Sequence, residues 1–148
     1  MLSYLAETHI KDPLPLLPAD TWIVPVPLNR RSFWERGFNQ SHCLAKVLGN
    51  KNSFRLVPDA LLKLKKTQRQ SWLDISERQE NLKGAFQWNP KYTPPKSILL
   101  VDDVYTTGST FRECAKVLRK QKVEKIAAWT LFRTPKNFSH RKLDHNRG

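Results

Sequence analysis

Cysteine, glycine and methionine are scarce in this sequence: two, five and one among 148 residues. Cys43 and Cys114 lie far apart and form no C-x-x-C pair, which excludes a disulfide framework and a compact zinc site built from this chain alone. Two isolated cysteines suit a reducing cytosol. No apolar run approaches the roughly 20 residues of a membrane-spanning helix. The start, MLSYLAETHIKDPLPLLPAD, lacks the basic opening and long apolar core of a secretory signal. These absences predict a soluble, cytoplasmic protein with no membrane insertion. The phosphate-loop pattern G-x-x-x-x-G-K-[ST] is also missing, which excludes the common nucleotide-hydrolysing domains. His9, His42, His140 and His145 show no metal-ligand spacing.

Acidic side chains are half as numerous as basic ones, 13 against 26, which leaves a formal charge of +13 and a pI near 10.1. Such an excess points to an anionic partner, whether nucleic acid, a polyphosphate or an anionic membrane surface. A cationic surface kept for solubility is the plainer alternative. An apolar fraction of 39%, with five tryptophans and seven phenylalanines, supplies a core for one domain of ordinary size.

Along the chain, residues 1–21 hold Pro13, Pro15 and Pro18 and read as an N-terminal arm or connector, with a short helix around Tyr4 to His9. Residues 22–134 read as the folded domain and 135–148 as a flexible basic tail. The run from Trp22 to Pro27 is a strand that Pro25 confines to a sheet edge or a strand end. The spacing from Phe38 to Leu48 predicts a helix with Gly49 as its C-cap. Phe54 to Val57, Ala60 to Leu64 and Phe86 to Trp88 are short strands, and Ile126 to Phe132 is a core strand. Thr110-Phe111-Arg112-Glu113 fits a capping box, and Phe111, Cys114, Ala115 and Leu118 form the apolar stripe of the helix it opens. Strands alternating with helices predict an α/β fold with a mostly parallel sheet flanked by helices.

The chemistry concentrates in ILLVDDVYTTGST, residues 98–110. Ile98 to Val101 reads as a buried strand with Asp102 and Asp103 at its end, where open α/β sheets bind ligands. Thr106, Thr107, Gly108, Ser109 and Thr110 then lead into a helix N-terminus, whose unpaired N–H groups and partial positive charge favour a phosphate. Two adjacent carboxylates would repel that phosphate unless sugar hydroxyls donate to them or Mg²⁺ sits between. A ribose 5-phosphate satisfies both halves, diol on the aspartates and phosphate on the loop.

This stretch resembles the phosphoribosyl-pyrophosphate signature of type I phosphoribosyltransferases. Together with VPVPL (24–28), RGFNQS (36–41), Leu44-Ala45 and TQRQSWLDISERQENLKGAF (67–86), it resembles the ComF family of competence proteins over residues 22–133. The resemblance implies a type I phosphoribosyltransferase-like fold. It implies that Asp102 and Asp103 bind the ribose hydroxyls, with Mg²⁺ held near them through the ligand, and that residues 106–110 hold the 5-phosphate. Leu28, Asn29, Arg30 and Arg31 would lie on the pyrophosphate side. The stretch from Thr67 to Asn81, with Gln68, Gln70 and Arg78, would be the flexible loop that closes over substrate. ComF proteins usually carry a cysteine-rich zinc module ahead of this domain; no paired cysteines exist here, so no zinc is expected from this chain.

For nucleic acid, the basic residues Lys63, Lys65, Lys66 and Arg69 form the densest patch, and a solvated face explains them equally well. Trp34 and Trp72, in basic polar loops, are candidates for stacking on bases, whereas Trp129 reads as packing. Arg36 either faces a ligand or belongs to a helix entry capped near Asn39. The expected function is binding of phosphoribosyl pyrophosphate or a related phosphosugar with Mg²⁺, and of single-stranded DNA, in DNA uptake during natural transformation, with a competence helicase admitted as a partner. The alternative is an active phosphoribosyltransferase that moves a phosphoribosyl group from the pyrophosphate donor to a nitrogen nucleophile. Whether the chain is an enzyme stays open, since the sequence names a donor site and no acceptor site.

Overall fold

The structure, a computed structural model, describes residues 6–9, 14, 16–28, 37–64 and 80–133. Its frame is a five-stranded sheet of β1 (Ala6–His9), β2 (Trp22–Pro25), β3 (Arg55–Leu56), β6 (Ser97–Tyr105) and β7 (Lys125–Arg133), in the order β1-β7-β6-β2-β3. Every pairing in it is parallel. A separate antiparallel pair joins β4 (Leu61–Lys63) to β5 (Phe86–Trp88). Helix α1 (Gln40–Asn52) follows β2, and helix α2 (Ser109–Lys120) connects β6 to β7. The α/β class and the mostly parallel sheet expected from the sequence are what the chain adopts.

A parallel sheet covered on both faces needs strands that are apolar at every position. Central β6 meets that demand. Ile98 and Leu100 join the cluster on one face with Val24, Ile126, Ala128 and the α2 residues Phe111, Cys114 and Leu118. Leu99 and Val101 join the other face with Ile23, Ala45, Ala127 and Trp129. All four β6 residues are fully buried. Trp129 is core packing, as expected. Trp88 is buried too, and it stacks on Trp22 with ring centroids 6.5 Å apart.

Three local expectations are corrected. Residues 6–9 form a strand, not a short helix, and β1 pairs with β7 from Ala6↔Ala127 to His9↔Thr130, so the sheet begins before residue 22. Gly49 lies inside α1 instead of ending it. A Cβ there would stand 3.3 Å from Ile23 Cγ2, so the missing side chain lets the helix close onto β2. The helix ends at Ser53, whose left-handed φ of 57° carries the chain out. The capping box does not form: Gly108, at φ 74°, is the N-cap of α2, and Glu113 instead accepts from the Gly84 N–H at 3.4 Å and pairs with Lys116.

Pro25 is the last residue of β2, a strand flanked on both sides. The Val26 N–H donates to the Val101 carbonyl at 2.8 Å, which turns the Pro25 nitrogen toward β3. There β3 pairs only with Trp22 and Ile23, so the missing donor breaks no ladder bond.

Candidate functional site

The site forms where neighbouring strands end at different heights. The ladder between β2 and β6 stops at Pro25↔Val101, whereas β7 accompanies β6 as far as Tyr105↔Arg133. Asp102 and Asp103 therefore lie near the end of β6, which continues to Tyr105, and past the end of β2. Both are half-buried.

The Asp102 carboxylate is held from two directions. Its Oδ1 accepts from the Ser41 hydroxyl at 2.9 Å and from the Asp103 N–H at 2.9 Å. Burial, with the neighbouring Asp103 charge adding to it, pushes the Asp102 carboxyl up from an ordinary 3.8 to about 7, against the opposing bonds from Ser41 and the Asp103 backbone. Lys63 is half-buried on β4, with its ammonium 5.5 Å from the centre of the Phe86 ring. Burial pulls its pKa down, while Cys114 and Asp102 oppose that pull. Lys63 thus lies within the electrostatic reach of Asp102. Burial pushes the Cys114 thiol well up, with the Asp102 charge adding to it.

Beyond the acids, the chain turns sharply into α2. Thr106 is exposed, Thr107 and Thr110 are half-buried, and Gly108 and Ser109 are buried. The Thr107 and Ser109 hydroxyls lie 2.7 Å apart, and the Arg112 guanidinium donates to Ser109 Oγ at 3.1 Å. A Cβ on Gly108 would meet the Tyr105 hydroxyl oxygen at 2.6 Å. The positive φ favours glycine there, and any side chain would also have to displace the end of the Tyr105 ring. Tyr105 stacks on Phe111 at 6.2 Å between centroids, and the Arg133 guanidinium lies 5.1 Å from the Tyr105 ring centre.

The structure thus brings together Asp102, Asp103, residues 106–110 and Lys63. Leu28 is half-buried and lines a cavity of about 560 Å³ with Pro27, Asn39, His42, Leu61 and Lys63. Asn81 is exposed in a helical turn. Asn29, Arg30, Arg31, Trp34, Arg36, Lys65, Lys66, Thr67, Gln68, Arg69, Gln70, Trp72 and Arg78 lie outside the described residues. Three contributors escaped the sequence reading: Ser41, Tyr105 and Arg112. A second cavity, about 220 Å³, opens beside the loop between Ser109, Arg112, Lys116 and Lys83.

Among the described residues, no group of three or more His, Cys, Asp or Glu side chains could hold a metal unaided. The Asp102–Asp103 pair fits Mg²⁺ only in company, since this ion takes one or two carboxylates plus waters and ligand phosphates. The burial that raises the Asp102 pKa, with the Asp103 charge adding to it, is what a cation or a pair of hydroxyl donors would offset.

A parallel α/β sheet whose central strand carries paired carboxylates near its C-terminal end, and then turns into a hydroxyl-rich helix N-terminus, agrees with a phosphoribosyltransferase-type domain. Residues 51–145 match the family described as phosphoribosyl transferase domain, well over half of the 148 residues, and the chain belongs to that family as a ComF-type member. Competence protein F of Haemophilus influenzae is 39% identical over 113 residues, covering 75% of this chain and 49% of that protein. DNA utilization protein YhgH of Escherichia coli K12 is 37% identical over 112 residues, 76% of this chain and 49% of that protein. Competence protein ComFC of Bacillus subtilis is 34% identical over 116 residues, 76% of this chain and 44% of that protein. The chain spans about half the length of the curated relatives it matches. Among the described residues, no helix is long and apolar enough to cross a membrane.

Proposed function

We propose that this domain binds phosphoribosyl pyrophosphate or a related phosphosugar, with Mg²⁺, and single-stranded DNA, and that it acts in the cytoplasm on DNA taken up during natural transformation. One observation carries the ligand class: the acidic pair and the hydroxyl loop follow each other on a single strand-to-helix turn. The carboxylates take the sugar diol, and the helix N-terminus with Thr107 and Ser109 takes the 5-phosphate, each charge-assisted hydrogen bond contributing roughly 1.5–3 kcal/mol. Arg112, on Ser109 Oγ, adds a cation at the same end. The relatives named for competence and DNA utilization support the cellular role, and the net charge of +13 supports a polyanionic partner.

A second reading rests on the cavity of about 560 Å³ lined by Asn39, His42 and Lys63. Asn39 and His42 flank Ser41, which bonds Asp102, so the space adjoins the sugar half-site. A nitrogen nucleophile seated there would displace pyrophosphate from the sugar, making the domain a transferase.

The test has two arms. Donor-induced thermal stabilisation is measured with and without Mg²⁺ for the wild type and for Asp102→Asn with Asp103→Asn; undiminished stabilisation of the double variant sinks the sugar assignment. Single-stranded DNA affinity is measured against salt, with an expected slope of about −0.7 per neutralised phosphate. A flat response removes the DNA reading. Release of pyrophosphate on adding a nitrogen acceptor would favour the transferase.

A further inference from the structure

Ser41 occupies the first turn of α1, and its neighbours leave its hydroxyl one job. The helix is capped by Asn39, whose Oδ1 accepts the Ser41 N–H at 3.0 Å and whose Nδ2 donates to the Val26 carbonyl at 3.1 Å. The backbone donor of Ser41 is thereby satisfied. Its side chain is buried, at 3% exposure, so the hydroxyl needs a partner within the protein. That partner is Asp102 Oδ1, 2.9 Å away and 61 positions later in the chain. Since the same oxygen also accepts the Asp103 N–H, two bonds from different directions fix the plane of the carboxyl group.

The bonds connect end to end. Val26, just past β2, holds Asn39; Asn39 holds Ser41; Ser41 holds Asp102 on β6. The two strand ends that border the site are thus tied through one helix turn, and the tie ends on a carboxylate whose burial works against its charge. A hydroxyl placed for helix capping alone would bond within its own turn; this one reaches across to the acidic pair.

We infer that Ser41 is a positioning residue, which sets the Asp102 carboxylate in the orientation that receives the sugar hydroxyls. The inference rests on the reading that Asp102 and Asp103 bind a sugar diol. Ser41 itself touches no ligand. Its contribution is that the carboxylate is oriented before the sugar arrives, so binding does not have to order it.

The experiment measures, on the full chain, dissociation constants for ribose 5-phosphate and for inorganic phosphate. The variants are Ser41→Ala, Asp102→Asn and the two combined, each first shown to be folded by its melting transition. A hydrogen bond to a charged group corresponds to roughly tenfold in affinity, which is the loss expected for ribose 5-phosphate in Ser41→Ala. Inorganic phosphate, which needs only the loop, should bind Ser41→Ala within about twofold of the wild type. Because Ser41 acts through the Asp102 carboxylate, adding Ser41→Ala to Asp102→Asn, where that charge is already gone, should weaken ribose 5-phosphate by less than it does in the wild type. Equal losses for both ligands, or additive losses in the double variant, overturn the positioning role in favour of a general effect on the fold. Unchanged ribose 5-phosphate binding in Ser41→Ala overturns it outright. Unchanged binding in Asp102→Asn removes the sugar reading beneath it, a result distinct from either of the others.

Discussion

Replacing Asp102 with asparagine should make the protein more stable and less able to bind its ligand, and the stabilisation should appear only as pH rises. Asparagine keeps the shape. Its Oδ1 still accepts from Ser41 and from the Asp103 N–H, and its new NH₂ can donate to the Asp103 carboxylate. What disappears is a charge disfavoured first by burial and then by Asp103. The folded-state pKa of about 7 lies above the ordinary 3.8, so between those values the folded protein holds a proton that the unfolded chain has lost. Wild-type stability from this group is therefore full below about pH 4 and lost as pH rises through about 7. Three units at 1.36 kcal/mol each set a ceiling of about 4 kcal/mol, and because Asp102 is only half-buried, about 2–4 kcal/mol is the working range. For a chain of this size that is roughly 5–15 °C in Tm. Melting curves of both proteins from pH 4 to pH 9 should start close together, separate through neutrality and then run parallel. A gap that is constant with pH, or a variant that melts below the wild type at pH 8, would refute the assignment of a buried, disfavoured carboxylate.

Gly108→Ala should lose about 1–2 kcal/mol to the left-handed backbone alone and more to the collision with Tyr105, whereas Gly37→Ala, at φ 75° with nothing within 4 Å of its Cβ, should lose only the backbone part; urea unfolding compares the two. Gly49→Val should cost roughly 1–3 kcal/mol by pushing α1 off Ile23 and the Phe54 carbonyl, read in the same assay. A chromogenic thiol reagent should react with exposed Cys43 in the native protein and with Cys114 only after unfolding, since Cys114 is fully buried and its thiol pKa is pushed well up. Two equivalents reacting at the same native rate would contradict that burial.

The acidic pair and the hydroxyl loop were legible because strand, turn and helix are contiguous there, and local pattern reports on them directly. The central strand was legible for a related reason: burial on both faces leaves an unbroken apolar run. Where tertiary contacts choose between local options, the sequence misled. Gly49 carries the signature of a helix end, but its missing side chain serves contact with Ile23. Thr110 and Glu113 match a capping box, but Glu113 is drawn to Gly84 and Lys116, and Gly108 takes the cap. The Ala6–His9 strand lacks an alternating apolar pattern and gains its conformation from backbone pairing with β7. Ser41 could not be assigned to the site because nothing local announces a partner 61 positions away.

The packing of Tyr105 against Gly108 bears on the energetics of recognition. With that ring beside the glycine and stacked on Phe111, the loop proposed to hold the phosphate should have few alternative conformations to sample. Its ordering entropy is met when the domain folds. An anion reaching the helix N-terminus would meet a rigid receptor, and its association there would carry little conformational cost. Affinity differences among phosphosugars would then arise from the rest of the ligand, while the phosphate end supplies a nearly constant anchor.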